Sequence, residues 1–224
     1  MKNLEHIAII PDGNRRWAKK NKLDFILGHK KGTEILRQLL DWAKEFDIPI
    51  ISIWGFSTEN FNRDEKEIEF LFNLFNEKID EYLKEYNKHK AKIRFIGNRS
   101  KFSKEFFEKI EKVETLTKDN KGFQLNILLN YGGRAEILKV VNELKNTNEE
   151  ITEKLIENHL YTKGIPDPDL IIRTSGERRL SGLMPWQSVY SELYFVDKLW
   201  PDFTKEDFKK AIEEYEKRKR RFGK

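Results

Sequence analysis

The sequence predicts a single α/β domain in which a largely parallel sheet of roughly six strands is flanked by helices. Short runs of apolar residues occur at 6–10, 50–54, 93–96, 125–129, 170–172 and 193–196. They alternate with longer segments of helical pattern at 14–20, 32–46, 65–88, 103–118, 134–144, 152–159 and 205–220. Continuous apolar strands between helices are typical of a parallel sheet whose two faces are both covered. Because neither an internal repeat nor a Pro/Gly-rich linker interrupts the pattern, we expect residues 1–224 to form one domain.

The composition indicates a folded and heavily charged protein. The 224 residues include 16 Phe, 7 Tyr and 5 Trp, which are too many apolar rings for a disordered chain. Cysteine is absent, which excludes disulfide bonds and thiolate metal sites. No apolar run approaches the roughly 20 residues of a membrane-spanning helix, and no signal peptide is recognisable. We therefore expect a cytoplasmic protein whose contact with a membrane is at most peripheral.

The charge balance leaves several interpretations open. There are 43 basic and 38 acidic residues, which gives a net charge of +5. This bias fits anionic substrates, an anionic membrane surface, or a lysine-rich composition without functional meaning. The basic run 217–221 is typical of nucleic-acid-binding tails and also of the solvated carboxyl end of a helix. Because acidic residues are mixed in throughout and leave no basic stripe, we do not expect a nucleic-acid partner.

Three polar clusters follow predicted strands, where open α/β sheets bind their ligands. The first follows the strand 6–10 and consists of Asp12, Gly13, Asn14, Arg15, Arg16 and Trp17. Free backbone N–H groups at a helix start, with two arginines beside them, suit a phosphate group. An aspartate among phosphate contacts indicates a magnesium ligand, because a cation must separate the two negative groups. An Asp N-cap before a solvated basic helix explains the same residues without function.

The second cluster follows the strand 50–54 and is punctuated by aromatic residues. Its candidate site residues are Ser57, Thr58, Glu59, Asn60, Phe61 and Arg63. A polar loop at this place could close over a bound substrate. A solvated connection with a Ser/Thr cap accounts for it equally well.

The third cluster follows the strand 170–172 and contains Arg173, Arg179, Leu180 and Ser181. Arginine forks and hydroxyl groups suit a diphosphate. Glu192, just before the strand 193–196, is a carboxylate that could return to the same mouth. A structural cluster of ion pairs is the competing interpretation.

Rival chemistries have less support in the sequence. Neither a G-x-x-x-x-G-K-[ST] loop nor a G-x-G-x-x-G fingerprint is present, so nucleotide binding lacks its usual cradles. The four histidines show no metal-ligand spacing. His29, in Gly28-His29-Lys30, fits an ordinary capping or surface role when taken alone.

Taken together and in this order, the clusters resemble the cis-prenyltransferase family. The resemblance extends from residue 6 to the carboxyl end. It is carried by the motifs DGN-RRW at 12–17, GHK at 28–30, FSTEN-FNR at 56–63, NYGGR at 130–134, RTSGE-RRLS at 173–181, ELYF at 192–195, LWPDF at 199–203 and RRFG at 220–223.

The resemblance implies a magnesium-dependent enzyme that condenses isopentenyl diphosphate with an allylic prenyl diphosphate. It implies that Asp12 is the magnesium-linked carboxylate and that Asn60 assists proton removal or substrate positioning. The allylic diphosphate would be held by residues 13–16 and His29, and the isopentenyl diphosphate by Arg173, Arg179 and Ser181. Glu192 would be the second acidic residue near magnesium, contributed across the interface of a homodimer. The terminal Arg221-Phe222-Gly223 matches a carboxyl signature that reaches the neighbouring subunit.

The prenyl chain would need an apolar tunnel between the sheet and the helix 65–88, whose apolar face includes Phe70, Leu71, Leu74 and Phe75. Ordinary core packing explains that face equally well. The sequence departs from the family pattern at Pro11, Arg15, Phe25 and Asp64. The runner-up interpretation is a non-catalytic partner subunit of a heteromeric cis-prenyltransferase, although such subunits lose the aspartate turn that this chain keeps.

Overall fold

The computed structural model describes residues 4–218, with only the backbone described for 84–89. Six parallel strands form one sheet in the order β3-β4-β2-β1-β5-β6. The strands are β1 (His6–Ile10), β2 (Ile50–Ser57), β3 (Lys92–Ile96), β4 (Gln124–Tyr131), β5 (Leu170–Arg173) and β6 (Glu192–Phe195). The predicted fold class and all six predicted strands are confirmed.

Seven helices flank the sheet within the described residues. They are α1 (Asn14–Lys20), α2 (Phe25–Glu45), α3 (Glu65–His89), α4 (Lys104–Thr117), α5 (Gly133–Leu144), α6 (Glu153–His159) and α7 (Lys205–Lys217). Short 3₁₀ helices cover Thr58–Asn62 and Trp200–Asp202. The last helix was predicted to extend to residue 220, but α7 ends at Lys217, where Arg218 is its extended C-cap. Residues 219–224, which include the signature at 221–223, lie outside the described part of the chain.

Helix α2 begins seven residues before its predicted start at residue 32. Asp24 caps it by accepting a hydrogen bond from the backbone N–H of Ile26 at 2.8 Å. In the sequence, Gly28 and Gly32 suggest that the helix is interrupted, but in the structure both face α1. A Cβ atom on Gly28 would lie 2.3 Å from the Asn14 carbonyl oxygen, and one on Gly32 would lie 2.4 Å from Asn14 Oδ1. These glycines therefore bring α1 and α2 into close contact.

The second polar cluster is more regular than the predicted loop. Strand β2 continues through an irregularity near Phe56 to Ser57, and a 3₁₀ helix follows. A reciprocal capping box joins Ser57 and Asn60 at its start. The polar side chains at this place therefore stabilise a helix start.

Helix α3 packs against the sheet through an aromatic cluster. Leu71 and Leu74 are buried, as expected of the apolar face. The Phe72 ring contacts those of Phe56 and Phe106 at centroid distances of 5.4 and 5.6 Å. These contacts confirm core packing for this face, while the tunnel stays a prediction.

The central strands place the functional residues. Every residue of β1 is buried, and its neighbour β5 is paired with it so that Ile10 lies opposite Arg173. Asp12, two residues beyond β1, therefore lies beside the carboxyl end of β5. Among residues 4–218, no helix has the length and apolarity needed to cross a bilayer.

Candidate active site

A cavity of about 620 Å³ opens beyond the carboxyl end of β1. Seven of its lining residues were predicted from the sequence: Asp12, Gly13, Asn14, Arg15, Arg16, His29 and Arg63. The others are Pro11, Ala18, Lys19, Leu23 and Phe25. The turn into α1 requires glycine, because Gly13 has φ 116° and a Cβ atom there would lie 3.0 Å from the Leu199 Cα atom.

Asp12 is a partly exposed carboxylate held between two arginines. Its Oδ2 accepts from Arg173 Nη2 at 2.9 Å, and its Oδ1 lies 3.4 Å from Arg16 Nη2. The Asp12 side chain is 31% exposed. Burial alone would raise the pKa of Asp12, but the hydrogen bond and charge of Arg173 and the charge of Arg16 outweigh it and lower the pKa below its usual value. The carboxylate is therefore ionised at neutral pH.

Arg173 joins the first and third clusters. Its guanidinium is 5% exposed and also donates to Ser181 Oγ at 2.7 Å and to the Arg179 carbonyl oxygen. The Thr174 hydroxyl group donates to the Asp12 carbonyl oxygen at 2.7 Å. The Nε atom of Arg173 is buried and has no hydrogen-bond partner within residues 4–218. The structure thus places Arg173 and the Ser181 hydroxyl group close to Asp12, whereas Arg179 joins this group through its backbone carbonyl oxygen.

Arg16 and Glu177 tie α1 to the loop that follows β5. Arg16 Nη1 donates to the Ser175 carbonyl oxygen at 3.3 Å and to Glu177 Oε1 at 3.2 Å. Glu177 also accepts from Arg179, whose side chain is 60% exposed. Ser175 and Gly176 have φ 81° and 75°, so the loop turns sharply at these hydroxyl and glycine residues. Glu177 thereby neutralises part of the charge at this edge of the cavity.

Glu67, on α3, is a site residue that the sequence reasoning missed. Its side chain is 6% exposed and accepts from Arg63 Nη1 at 3.0 Å. Arg15 Nη1 lies 3.6 Å from Glu67 Oε2, and His29 Nε2 lies 3.7 Å from Oε1, which is too long for a hydrogen bond. The i,i+4 spacing of Arg63 and Glu67 was a readable sign of the pair.

His29 is neutral at the wall of the cavity. Burial, reinforced by the charge of Arg63, lowers the pKa of His29 to about 4. Its buried Nε2 has no hydrogen-bond partner among the described residues. The cavity lining thus contains one ionised carboxylate, several arginines and the unpartnered imidazole nitrogen of His29.

Comparisons with known proteins fit this geometry. A family model described as undecaprenyl diphosphate synthase matches residues 10–223. The chain belongs to the undecaprenyl diphosphate synthase family. It is a prenyltransferase. An isoprenyl transferase of Thermotoga maritima is 46% identical over all of this chain and 98% of its own length. One of Streptococcus pneumoniae is 47% identical over 97% of this chain and 91% of its own length.

Two solved structures share the fold. One is a lavandulyl diphosphate synthase from Lavandula x intermedia in complex with dimethylallyl diphosphate, with a TM-score of 0.92, 32% identity and 98% of both chains covered. The other is a probable undecaprenyl diphosphate synthase from Campylobacter jejuni, with a TM-score of 0.85, 33% identity and complete coverage of both chains.

The departures from the undecaprenyl diphosphate synthase pattern have local explanations at three positions. Arg15 pairs loosely with Glu67. The Phe25 ring packs edge-on against Phe70, with centroids 6.0 Å apart. Asp64 caps α3 by accepting from the Lys66 N–H at 2.9 Å. Pro11, Arg15 and Phe25 all line the cavity, so these three changes alter its wall.

Several predicted substrate-binding residues do not line this cavity. Trp17 donates from its indole to Asp202 at 2.7 Å, and Thr58 packs against Gly132. Phe61 belongs to the aromatic cluster, where its ring stacks on Phe72. The remaining ones are Ser57, Glu59, Leu180, Arg173, Arg179 and Ser181, and the predicted catalytic residue Asn60 is not part of the lining either. Asn60 Oδ1 accepts from the Ser57 N–H at 3.1 Å, so its side chain is engaged in capping.

Glu192 does not return to the mouth of the Asp12 cavity within one chain, which corrects that expectation. It pairs with Leu170 at the start of parallel strands, and Leu170 pairs with Ile7. Glu192 therefore lies at the amino edge of the sheet, away from Asp12. Its carboxylate accepts from Arg218 Nη1 at 2.9 Å. A role beside magnesium would require a second subunit.

The donor set around Asp12 suits magnesium only as part of a complex with substrate. Within residues 4–218, no three acidic, histidine or cysteine side chains cluster in a way that could hold a metal ion. Magnesium commonly binds one or two carboxylates together with water and substrate phosphates. The ionised, partly exposed carboxylate of Asp12 at the cavity wall fits that mode.

Proposed function

We propose that this chain is a magnesium-dependent cis-prenyltransferase. It condenses isopentenyl diphosphate with farnesyl or geranylgeranyl diphosphate and makes a Z-polyprenyl diphosphate such as undecaprenyl diphosphate, a lipid carrier precursor for cell-wall or glycan synthesis. The observation that carries the proposal is the cavity beyond β1, where Asp12 is ionised and held by Arg16 and Arg173.

The charges around the cavity favour a diphosphate. Arg15, Arg16, Lys19 and Arg63 line the cavity, whereas Asp12 is the acidic residue in its lining. Charge-assisted hydrogen bonds from arginines to phosphate oxygens are strong and directional. A diphosphate would also offer acceptors to the unpartnered His29 Nε2. We assign the allylic diphosphate to this wall. The related lavandulyl diphosphate synthase was solved in complex with dimethylallyl diphosphate, which supports an allylic diphosphate as a ligand of this fold.

The second diphosphate is assigned to Arg173, Arg179 and Ser181. Arg173 connects them with Asp12, so the two diphosphates would be held on opposite sides of one carboxylate. Fixing both substrates in this way converts a bimolecular step into an effectively unimolecular one. Magnesium held by Asp12 and the allylic diphosphate would neutralise charge that develops on the leaving group.

The reaction itself needs few protein groups. The double bond of isopentenyl diphosphate attacks the allylic C1, a carbon–carbon bond forms, and the allylic diphosphate departs. A proton is then lost from C2 of the former isopentenyl unit, which creates the new cis double bond. We assign Asn60 to assist this proton removal, which requires its side chain to leave the cap at Ser57.

We propose a homodimer for the active enzyme. Large apolar side chains are exposed on α5 and shortly before β6: Leu138 (62%), Val141 (57%), Val189 (71%) and Tyr190 (60%). The two segments are joined, because the Gly133 N–H donates to the Gly182 carbonyl oxygen at 2.9 Å. Glu192 follows Tyr190 closely in the sequence. A metal role for Glu192 would require the partner to bring its own Asp12 to this edge of the sheet.

A non-catalytic partner subunit is the alternative function. Asp12, Asn14 and Arg16 all line the cavity, and Asp12 retains its arginine partners. A subunit without catalytic duty has no need of this arrangement. The alternative is therefore less well supported than the enzyme.

The test is incubation of the purified protein with labelled isopentenyl diphosphate and each of geranyl, farnesyl and geranylgeranyl diphosphate. We expect label in solvent-extractable polyprenyl products with at least one starter, and none after magnesium is chelated. Farnesol serves as the control starter, because it has the same chain without the diphosphate. Absence of labelled product with every starter, in the presence of magnesium, would refute the enzyme and favour the partner subunit.

A further inference from the structure

The turn between α1 and α2 exposes apolar and basic side chains together. Leu23 is 41% exposed and Leu27 is 45% exposed. Exposed lysines lie near them in sequence, namely Lys19 and Lys20 at the end of α1, Lys22 in the turn, and Lys30 one turn beyond Leu27. We refer to these six residues as the basic–apolar edge. Single exposed leucines are common, but two within a lysine cluster form a surface of defined chemistry.

The positive charge of this edge is largely uncompensated. Within the part of the chain that the structure describes, none of its four lysines forms an ion pair. Of the nearby carboxylates, Asp24 caps α2, and Glu34 pairs with Lys31 at 2.7 Å. Residues 19–30 thus contain four ammonium groups and one carboxylate, so the edge attracts anions.

The edge is held in a fixed shape. The Leu23 N–H donates to the Ala18 carbonyl oxygen at 2.9 Å, and the Asn21 N–H donates to that of Trp17 at 3.0 Å. The close approach of Gly28 to Asn14 locks the two helices together. The leucines and lysines are thus presented as one preformed surface.

This edge adjoins the cavity of the active site. Leu23 and Lys19 line the cavity, while Lys20, Lys22, Leu27 and Lys30 are not among its lining residues. We propose that the basic–apolar edge docks the protein onto an anionic phospholipid bilayer, with the mouth of the cavity towards the lipid. Leucines insert at the boundary between headgroups and acyl chains, and lysines gain from anionic headgroups.

This inference deepens the proposed function and rests on it in one respect, namely that the ligands are prenyl diphosphates. Such a molecule has an anionic head and an apolar chain that partitions into bilayers. An enzyme docked at its cavity mouth could exchange such molecules with the membrane directly. Vesicle binding itself requires neither turnover nor magnesium. A protein that binds vesicles but makes no product would refute the proposed function alone, and the reverse result would refute the docking alone.

The experiment is flotation of the full-length protein with unilamellar vesicles, without substrate or magnesium. One set contains phosphatidylcholine alone and the other equal parts of phosphatidylcholine and phosphatidylglycerol. We expect binding to the anionic vesicles only, weakening as salt rises from about 50 mM to about 500 mM. The double variant Lys20→Glu/Lys30→Glu should bind these vesicles roughly tenfold more weakly or worse. Leu27→Ser should lower the affinity by about fivefold.

Helix α4 offers a matched control. Leu116 is 39% exposed, and Lys112 and Lys118 are exposed lysines near it in sequence. Leu116→Ser and Lys112→Glu/Lys118→Glu should leave vesicle affinity unchanged. Equal losses in both sets, or no binding by the unaltered protein, would overturn the proposal. If Leu27→Ser alters the sedimentation of the free protein and not its vesicle affinity, the edge is an interface between copies and the proposal is wrong.

Discussion

Two carboxylates beyond strands of the same sheet have opposite surroundings. Asp12, after β1, is partly exposed and held by the cations Arg16 and Arg173. Glu136, on α5 after β4, is fully buried. Its Oε2 accepts from the Tyr131 hydroxyl at 2.7 Å and from Gln187 Nε2 at 3.1 Å, and its Oε1 accepts from the Tyr161 N–H at 2.8 Å.

The difference separates a group that can bind a ligand from one that holds the fold. The three groups that donate hydrogen bonds to Glu136 are neutral, and its side chain has no access to solvent. Around Asp12 there are more cationic side chains than carboxylates, and a cavity lies beside Asp12. Burial of a carboxylate therefore does not by itself mark a catalytic centre. An excess of cations next to open space is the more informative feature.

His6 and His29 show the same contrast between a completed hydrogen-bond network and an open site, although their pKa values are equal. Burial lowers the pKa of both His6 and His29 to about 4. His6 donates from Nδ1 to the Pro166 carbonyl oxygen at 2.7 Å, and its Nε2 accepts from the Ser52 hydroxyl at 2.7 Å. His29 has an unpartnered Nε2 at the cavity wall. The same pKa thus arises in a completed network and in a site with room for a ligand.

The largest expected effect is that of Asp12→Asn on turnover. The variant keeps an oxygen acceptor for Arg173 but removes the charge that would hold magnesium. We expect the rate to fall by about a thousandfold or more, whereas the melting temperature falls by only a few degrees. Steady-state assays at saturating magnesium and a thermal melt measure both quantities. Retention of most of the activity would show that Asp12 resembles Glu136 in having a structural role.

Glu136→Ala should show the reverse pattern, with stability as its main loss. The change leaves the donors of Tyr131, Gln187 and Tyr161 unsatisfied in the interior, which costs roughly 3 kcal/mol or more of unfolding free energy. Glu136→Gln retains an acceptor and the side-chain volume, so we expect about half that loss. Denaturant unfolding of both variants beside Asp12→Asn decides the matter. An unfolding free energy of Glu136→Ala equal to that of the unaltered protein would contradict the contrast.

The strands could be predicted from the sequence because burial on both faces leaves continuous apolar runs. Residues 6–10 coincide with β1 for this reason. The start of α2 could not be predicted, because Gly28 and Gly32 resemble helix breaks until their contacts with Asn14 are known. Local sequence does not reveal which element will pack against a glycine.

The site was predicted best where residues follow a strand directly. Asp12 lies just beyond the end of β1 and Arg173 lies at the end of β5, and the parallel pairing of these strands brings them together. Glu67 was missed because its importance arises from burial beneath His29 and Arg63, which is a tertiary property. The position of Glu192 was readable in principle, because a residue that precedes a parallel strand lies at the amino edge of the sheet, opposite the ligand-binding edge.

The variants Arg173→Ala and Arg179→Ala compare the loss of a buried arginine with the loss of an exposed one within the site. The exposed Arg179 should affect mainly isopentenyl diphosphate, with a rise in KM of roughly tenfold and little change in kcat. The buried Arg173 also pairs with Asp12, so its loss should lower kcat and stability as well. Kinetics with both substrates varied, and thermal melts, separate the two outcomes. A selective rise in KM for the allylic substrate would reverse our assignment of the two subsites.

The smallest expected effect is a shift in the pKa of one histidine. Both folded pKa values lie below the ordinary 6.5, so the unfolded chain takes up protons first as the pH falls. Each histidine therefore contributes stability that is complete above about pH 6.5 and is lost as the pH falls towards 4.

Inorganic diphosphate should make the pKa values of the two histidines differ. An anion in the cavity favours protonation of His29, because it offsets the charges of Arg63 and Arg15. We expect the pKa of His29 to rise by about one unit and that of His6 to stay unchanged, since no ligand reaches its network. Titration of the imidazole proton resonances by NMR, with and without diphosphate and in the absence of magnesium, measures both. Equal shifts of the two histidines, or none, would show that the cavity wall is as closed to anions as the interior of the sheet.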